Sequence, residues 1–178
     1  MGTLVSNFFI SLDGVVESPH EWHFPYFDDR MGAVVGEGMQ TSAAFLMGRR
    51  LYDEWSLYWT TEGEDEPFSE FINSIPKFVV SNTLDAASWA NTTVVRADLA
   101  AVQAVKDSVD GQIGISGSPS TVRWLLTGGL LDRLNLLVHP IVVGHGERLF
   151  TDDATYPLEL TNSETLPTGV LNLSYAPV

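Results

Sequence analysis

Apolar and polar positions alternate along the chain between strand-like and helix-like blocks. Residues 3–12 are rich in Val, Phe and Ile and predict a buried strand, closed by an Asp13-Gly14 turn. Behind Asp28, a good N-cap, Met31, Val34, Val35 and Met39 fall at helical spacing. Residues 43–47 predict a short apolar strand broken by Gly48, and 49–59 a helix. Strands follow at 77–81 and 92–96. Asp98 then caps a helix carrying Leu99, Val102, Val105 and Val109, and 112–116 is another strand. Ser118-Pro119 places Ser at the cap and Pro at the first position of a helix that stops at Gly128-Gly129. A long apolar strand is predicted over 132–143, and 158–166 with 170–175 predict a closing hairpin.

Alternating strands and helices imply a largely parallel sheet with helices on both faces, and the strand-only tail adds antiparallel strands at one edge. The reading is a single α/β domain over residues 1–178, with an open mixed sheet of about seven to nine strands. The acidic segment 62–67 is too short to divide it and reads as a surface loop.

Composition changes this picture little. Apolar residues are 44% and charged residues 18%, as in a globular chain. No cysteine is present, which excludes disulfides, thiolate metal sites and cysteine nucleophiles. The N-terminus lacks a basic segment, and no run of about 18 apolar residues occurs, so neither a signal peptide nor a membrane span is expected. A cytoplasmic location is the expectation.

Charge is more informative. The net charge of -14 disfavours nucleic acid and anionic membranes as partners. It does not exclude a small anionic ligand, which responds to charges within roughly 8 Å. Of nine cations, the adjacent pair Arg49 and Arg50 stands at a strand-to-helix turn.

Three strand ends carry polar chemistry, and ligands of open α/β sheets bind beyond such ends. In Leu46-Met47-Gly48-Arg49-Arg50, Gly48 clears space for a phosphate, the helix start offers free N–H groups, and arginine adds bidentate recognition. The alternative is a pair of solvated arginines on an acidic body. Consecutive helix residues diverge by about 100°, so only one of the two can face a phosphate fully. In Ile115-Ser116-Gly117-Ser118-Pro119-Ser120-Thr121, a glycine and four hydroxyls meet a helix start, a cradle for a pyrophosphate. An ordinary capped helix explains Ser118 and Pro119 equally well. Ser81, in Val79-Val80-Ser81-Asn82-Thr83, suits a ribose or its phosphate, or simply a turn. The Rossmann G-x-G-x-x-G and the P-loop are missing, and Ser116 or Ser118 lacks the partners of a hydrolase nucleophile. His20 and His23, three apart, have no evident third metal ligand, and His139 reads as a satisfied core histidine.

Six motifs in order resemble one family. They are Ser11-Leu12-Asp13-Gly14-Val15, Leu46 to Arg50, Lys77-Phe78-Val79-Val80-Ser81, Ile115-Ser116-Gly117-Ser118, Gly129-Leu130-Leu131-Asp132, and the run from Pro140 to Phe150. Together they resemble the C-terminal reductase domain of the bifunctional riboflavin-biosynthesis deaminase/reductase and its stand-alone relatives, over nearly the whole chain. The resemblance implies the dihydrofolate-reductase-like three-layer fold and an NADPH-dependent reductase acting on a small substrate, commonly as a homodimer. It implies cofactor contacts from Gly48, Arg49, Arg50, Ser81, Gly117, Ser118, Ser120 and Thr121. Asp13 would face the nicotinamide and substrate, orienting the latter or relaying a proton if burial raises its pKa.

The deaminase zinc motifs do not occur in these residues. The loop 16–27 also departs from the riboflavin enzyme, which leaves the proton-relay carboxylate open between Asp28 and Asp29. Trp22 and its aromatic neighbours in that loop would line a pocket for a flat pteridine- or pyrimidine-like substrate, or form a small cluster under the loop. A non-catalytic dinucleotide-binding or dimeric module on the same fold, using an apolar face on 134–143, is the competing expectation.

Overall fold

The computed structural model describes residues 1–151 and 154–178. Strand β1 (Thr3–Ser11) opens the chain, followed by α1 (Asp29–Thr41), β2 (Ser42–Gly48), α2 (Arg49–Tyr58) and α3 (Pro67–Ser74). Next come β3 (Lys77–Val80), β4 (Thr92–Val95), α4 (Leu99–Ser108), β5 (Gln112–Ile115), α5 (Pro119–Thr127), β6 (Arg133–His139), β7 (Leu158–Thr165) and β8 (Leu171–Pro177). The eight strands lie in the order β4-β3-β2-β5-β1-β6-β8-β7. The first six are parallel, and β8 and β7 are antiparallel at one edge.

Both faces of the sheet are covered, which is why the inner strands read as continuous apolar runs. In β2, Ala44 and Leu46 join the core beneath α4 and α5, while Phe45 and Met47 join the core beneath α2 and α3. In β1, Leu4, Phe8 and Ile10 face the first of these cores, and Phe9 faces α1 together with Met31 and Leu137. The predicted caps of α1 and α4 are present: Asp28 accepts from Met31 N at 2.8 Å and Asp98 from Ala101 N at 2.7 Å.

Two expectations are corrected. The segment after the acidic run contains α3, which starts at Pro67 behind four acidic residues that favour a helix N-terminus. Its last turn is held from outside: the buried Lys77 Nζ donates to the carbonyls of Ile72 (2.8 Å), Ile75 (3.0 Å) and Asn73 (3.4 Å). The strand predicted over 132–143 ends as β6 at His139. Pro140 has no N–H to give, and the N–H groups of Val143 and Gly144 go to Asp13 instead of a strand. Strand β6 also lies between β1 and β8, and Leu134, Leu136 and Leu137 are buried within the chain, so these three side chains do not form the apolar face envisaged for a partner. No helix among the described residues is long and apolar enough to cross a membrane.

Candidate functional site

Parallel strands put their C-terminal ends on one edge, and register fixes what meets there. Gly48 pairs with Val80, so Arg49 and Ser81 follow at adjacent strand ends. Phe45 pairs with Gly114, which sets Gly48 beside Gly117. Ser6 pairs with Ile115, so the end of β1 rises next to the β5 turn. The three predicted polar turns thus line up as Ser81, Gly48-Arg49 and Gly117-Ser118, with Asp13 beyond.

Gly48 and the β5 turn are in contact. A Cβ on Gly48 would overlap Thr121 Oγ1 and come within 2.7 Å of Ser118 Oγ. The space before Gly48 is therefore filled by protein hydroxyls, not left open as expected for a phosphate. Gly117 has φ +139°, a conformation that favours glycine, and the Gly117–Ser118 peptide is cis.

Ser118 stands at the N-cap position of α5, but its side chain makes no cap bond. Its hydroxyl lies 3.1 Å from Thr121 Oγ1 and 3.3 Å from Ser120 Oγ. The N-cap of α2 is Gly48, which has no side chain to offer. Two helix starts at neighbouring strand ends are thus left without side-chain caps, in contrast to α1 and α4. Their first-turn N–H groups and the partial positive charge they carry are directed at the same edge.

Both arginines are paired within the chain. Arg49 Nε donates to Asp53 Oδ1 (2.8 Å) and Oδ2 (2.9 Å), one helical turn along. Arg50 reaches Glu54 (3.2 Å), Glu147 (3.3 Å) and Glu17 (4.0 Å). Their side chains are 38% and 63% exposed. Exposed i,i+4 pairs contribute about 0.5 kcal/mol, so a phosphate, whose charge-assisted bonds are each worth about 1.5–3 kcal/mol, competes readily for Arg49. Ser81 is buried. Its Oγ accepts from Thr83 N and Leu84 N, both at 3.1 Å, and lies 3.4 Å from Thr83 Oγ1 in a closed turn.

Asp13 does not behave as expected. Oδ1 accepts from the Ser11 hydroxyl (2.6 Å) and Val143 N (3.0 Å), and Oδ2 from Gly144 N (2.9 Å), with Arg148 Nη2 at 3.6 Å. The Ser11 hydroxyl, joined by the two main-chain N–H groups, holds its pKa down at about 2. Partial burial opposes this and is outweighed, so the raised pKa that a proton relay would need does not arise at Asp13. Asp13 instead pins residues 143–144 over the end of β1. The same return segment is fixed by Val16 N to Glu147 O (2.9 Å) and Leu149 N to Gly14 O (3.0 Å), which accounts for the motif from Pro140 to Phe150.

The substrate candidates separate. Trp22 is buried against the edge of His139 and donates its indole N–H to Glu17 O at 3.2 Å. Asp28 has Oδ1 committed to capping α1, and Asp29 is exposed in its first turn. His23, in the loop 16–27, is buried and stacked on Phe9 at 4.7 Å. His139 is only half satisfied: Nδ1 bonds Leu137 O at 2.8 Å, but Nε2 has no partner. Sequence reasoning missed this pairing of His23 with Phe9 and His139, because nothing in the spacing links residues 9, 23 and 139. Among the described residues, no three His, Asp or Glu side chains gather as a metal site. A groove of about 440 Å³ between Trp59, Asn73 and Trp89 lies at the other edge, near the N-terminal ends of β3 and β4.

A mixed sheet of this order, with helix starts opening on its parallel edge, is an α/β fold of the dihydrofolate-reductase-like class. The dihydrofolate reductase of Enterococcus faecalis, solved with NADP(H) and RAB-propyl, superposes with a TM-score of 0.61 at 14% identity over 99% of this chain and 96% of that one. A candidate riboflavin biosynthesis protein from Shewanella sp. PV-4 superposes with a TM-score of 0.76 at 21% identity over 99% of both chains. Residues 2–172 match the RibD C-terminal domain, and the chain belongs to that family. It is 26% identical over 171 residues to the uncharacterized protein YyaP of Bacillus subtilis (strain 168), covering 93% of this chain and 90% of that protein.

Proposed function

We propose that this protein is an NADPH-dependent reductase that delivers hydride to a C=N or C=O carbon of a small pteridine- or pyrimidine-like substrate. The observation that carries the reading is the pair of uncapped helix starts, α2 and α5, side by side at the ends of β2 and β5. Open N–H groups, a hydroxyl cluster bonded only among its own members and an arginine on a weak tether fit a bridging diphosphate and a further phosphate. Membership of the RibD C-terminal domain family supports the same reading, as does the fold shared with an NADP(H)-bound reductase.

Gly48, Gly117, Ser118, Ser120 and Thr121 would hold the diphosphate, and Arg49 with Ser81 the adenosine phosphate. Arg50, engaged by three carboxylates, is the poorer phosphate ligand and better placed to tie α2 to the 147 region. Bound NADPH supplies the hydride. Asp13 is a positioning residue, because both its oxygens are taken by protein donors.

Titration of the purified protein with NADPH and NADH tests the reading. NADPH binding tighter than NADH, and lost selectively in Arg49→Glu, is the expected result. Equal or undetectable binding of both cofactors refutes it. In solution the chain is proposed to be a homodimer, which light scattering tests at twice the 19.5 kDa of one chain.

A further inference from the structure

We propose that Glu147 is a positioning residue: its carboxylate bridges α2 to α5 and sets the spacing of the two helix starts that hold the cofactor diphosphate. That role rests on the reductase reading above; the bridge itself does not.

The carboxylate is divided between arginines on two helices. Oε2 lies 3.3 Å from Nη1 of Arg50, in the first turn of α2. Oε1 lies 4.0 Å from Nη2 of Arg123, in the second turn of α5, an ion contact rather than a hydrogen bond. These are the two helices that start at the neighbouring ends of β2 and β5. Gly48 and Ser118 fix the starts where they leave the sheet, and Glu147 fixes them further along.

The backbone of Glu147 is held from both sides. Its N–H donates to Glu17 Oε2 at 2.6 Å, and Val16 N donates to its carbonyl at 2.9 Å. Gly146 permits this approach: its φ is +99°, and a Cβ there would lie 3.1 Å from Val15 Cγ1 and 3.2 Å from Glu17 Oε2. From the α5 side, Arg123 Nη1 donates to Leu149 O at 2.8 Å and to Arg148 O at 3.2 Å. Glu17 turns its other oxygen towards Arg50 Nη2 at 4.0 Å. The cluster therefore ties α2 and α5 to each other and to the turn after β1.

An isolated surface ion pair holds little, because solvent screens it and two long side chains must be ordered for it. Three features set this cluster apart. The backbone that carries the carboxylate is already fixed. One ordered carboxylate serves both arginines. The side chains of Arg123 and Glu147 are 19% and 32% exposed, which limits screening.

Charge and position make opposite forecasts for Glu147. A carboxylate beside an anion site repels phosphate, so by its field alone Glu147→Gln would tighten dinucleotide binding. A carboxylate that spaces two sets of N–H donors weakens binding when it is removed, because such donors work only within about 0.5 Å of their productive geometry. The diphosphate is common to NADPH and NADH, so the loss falls equally on both.

Two measurements on Glu147→Gln test the proposal. Without cofactor, amide hydrogen exchange should quicken in peptides covering α2 and α5 and stay unchanged in α4, which the bridge does not touch. With cofactor, NADPH and NADH should each bind about three- to tenfold more weakly at an unchanged ratio, a size expected for one member of a charge network. In an Arg123→Met background, Glu147→Gln should cost no further affinity. Tighter or unchanged binding of both dinucleotides overturns the positioning role, as does a loss confined to NADPH. These single-variant results decide the matter even if Arg123→Met fails to fold. Unchanged exchange in α2 and α5 overturns the bridge. If the unmodified protein binds neither dinucleotide, the reductase reading and the positioning role fall together, and the exchange comparison still decides the bridge.

Discussion

Gly48 and Ser118, seventy residues apart in sequence, touch where β2 and β5 end, and a single methyl group on Gly48 would come within 2.7 Å of the Ser118 hydroxyl oxygen. This contact joins the two open helix starts into one edge site. Gly48→Ala should force Ser118 and Thr121 aside, costing about 1–3 kcal/mol of stability and weakening NADPH at the same time. Urea unfolding and cofactor titration check the two effects. Full stability with intact NADPH binding would show that the contact has slack.

The anchoring of Asp13 has a consequence for pH. A carboxylate whose folded pKa is depressed to about 2 stabilises the fold above its unfolded value near 4, and that contribution is lost as pH falls towards 2. It stays ionised throughout the neutral range. Asp13→Asn should therefore loosen residues 143–148 and lower the thermal midpoint, while leaving the pH profile of turnover between 5 and 8 unchanged. A titration in that range that disappears in Asp13→Asn would restore a proton-transfer role.

Much of this architecture is legible in the sequence because its signals are local. The caps Asp28 and Asp98, the strand alternations and the stop at Gly129 (φ +68°) each depend on a few consecutive residues. Helix α3 escapes such reading because it has only eight residues and its C-terminal carbonyls are satisfied by Lys77 from the next strand. The end of β6 escapes because Asp13, 130 residues earlier, takes the N–H groups that would have continued it. In the site, the glycine and hydroxyl turns are visible in sequence. The Glu17 and Glu147 carboxylates on Arg50 and the His23–Phe9 stack are long-range contacts with no signature in spacing.

A second buried charge supports the fold away from the site. Lys106 Nζ donates to Asp132 Oδ2 at 2.7 Å and to Leu130 O at 2.9 Å, and the same carboxylate oxygen accepts from Leu4 N at 2.7 Å. Asp132→Ala leaves the buried ammonium without its counter-charge and should cost about 3 kcal/mol, read by urea unfolding. Lys106→Met with Asp132→Leu should recover part of that loss. No loss in Asp132→Ala would mean that the carbonyl and water suffice for Lys106.

The His23 ring gives the protein an acid-sensitive element. Burial is the main cause that lowers its pKa from 6.5 to about 4, with the neighbouring His139 and His20 adding to it. The fold therefore keeps the full benefit of a neutral His23 above pH 6.5 and loses it as pH falls towards 4, at no more than about 1.4 kcal/mol per pH unit. His139 is shifted in the same direction. His23→Phe should flatten the stability curve between pH 6.5 and 4, measured by thermal melts. An unchanged slope would locate the acid sensitivity elsewhere.

A crystal structure of the protein with NADPH tests the central claim most directly. The account predicts the diphosphate between the starts of α2 and α5, with Arg49 turned from Asp53 to the adenosine phosphate and Arg50 still on Glu147. NADPH bound away from this edge, or no binding at saturating cofactor, would contradict it.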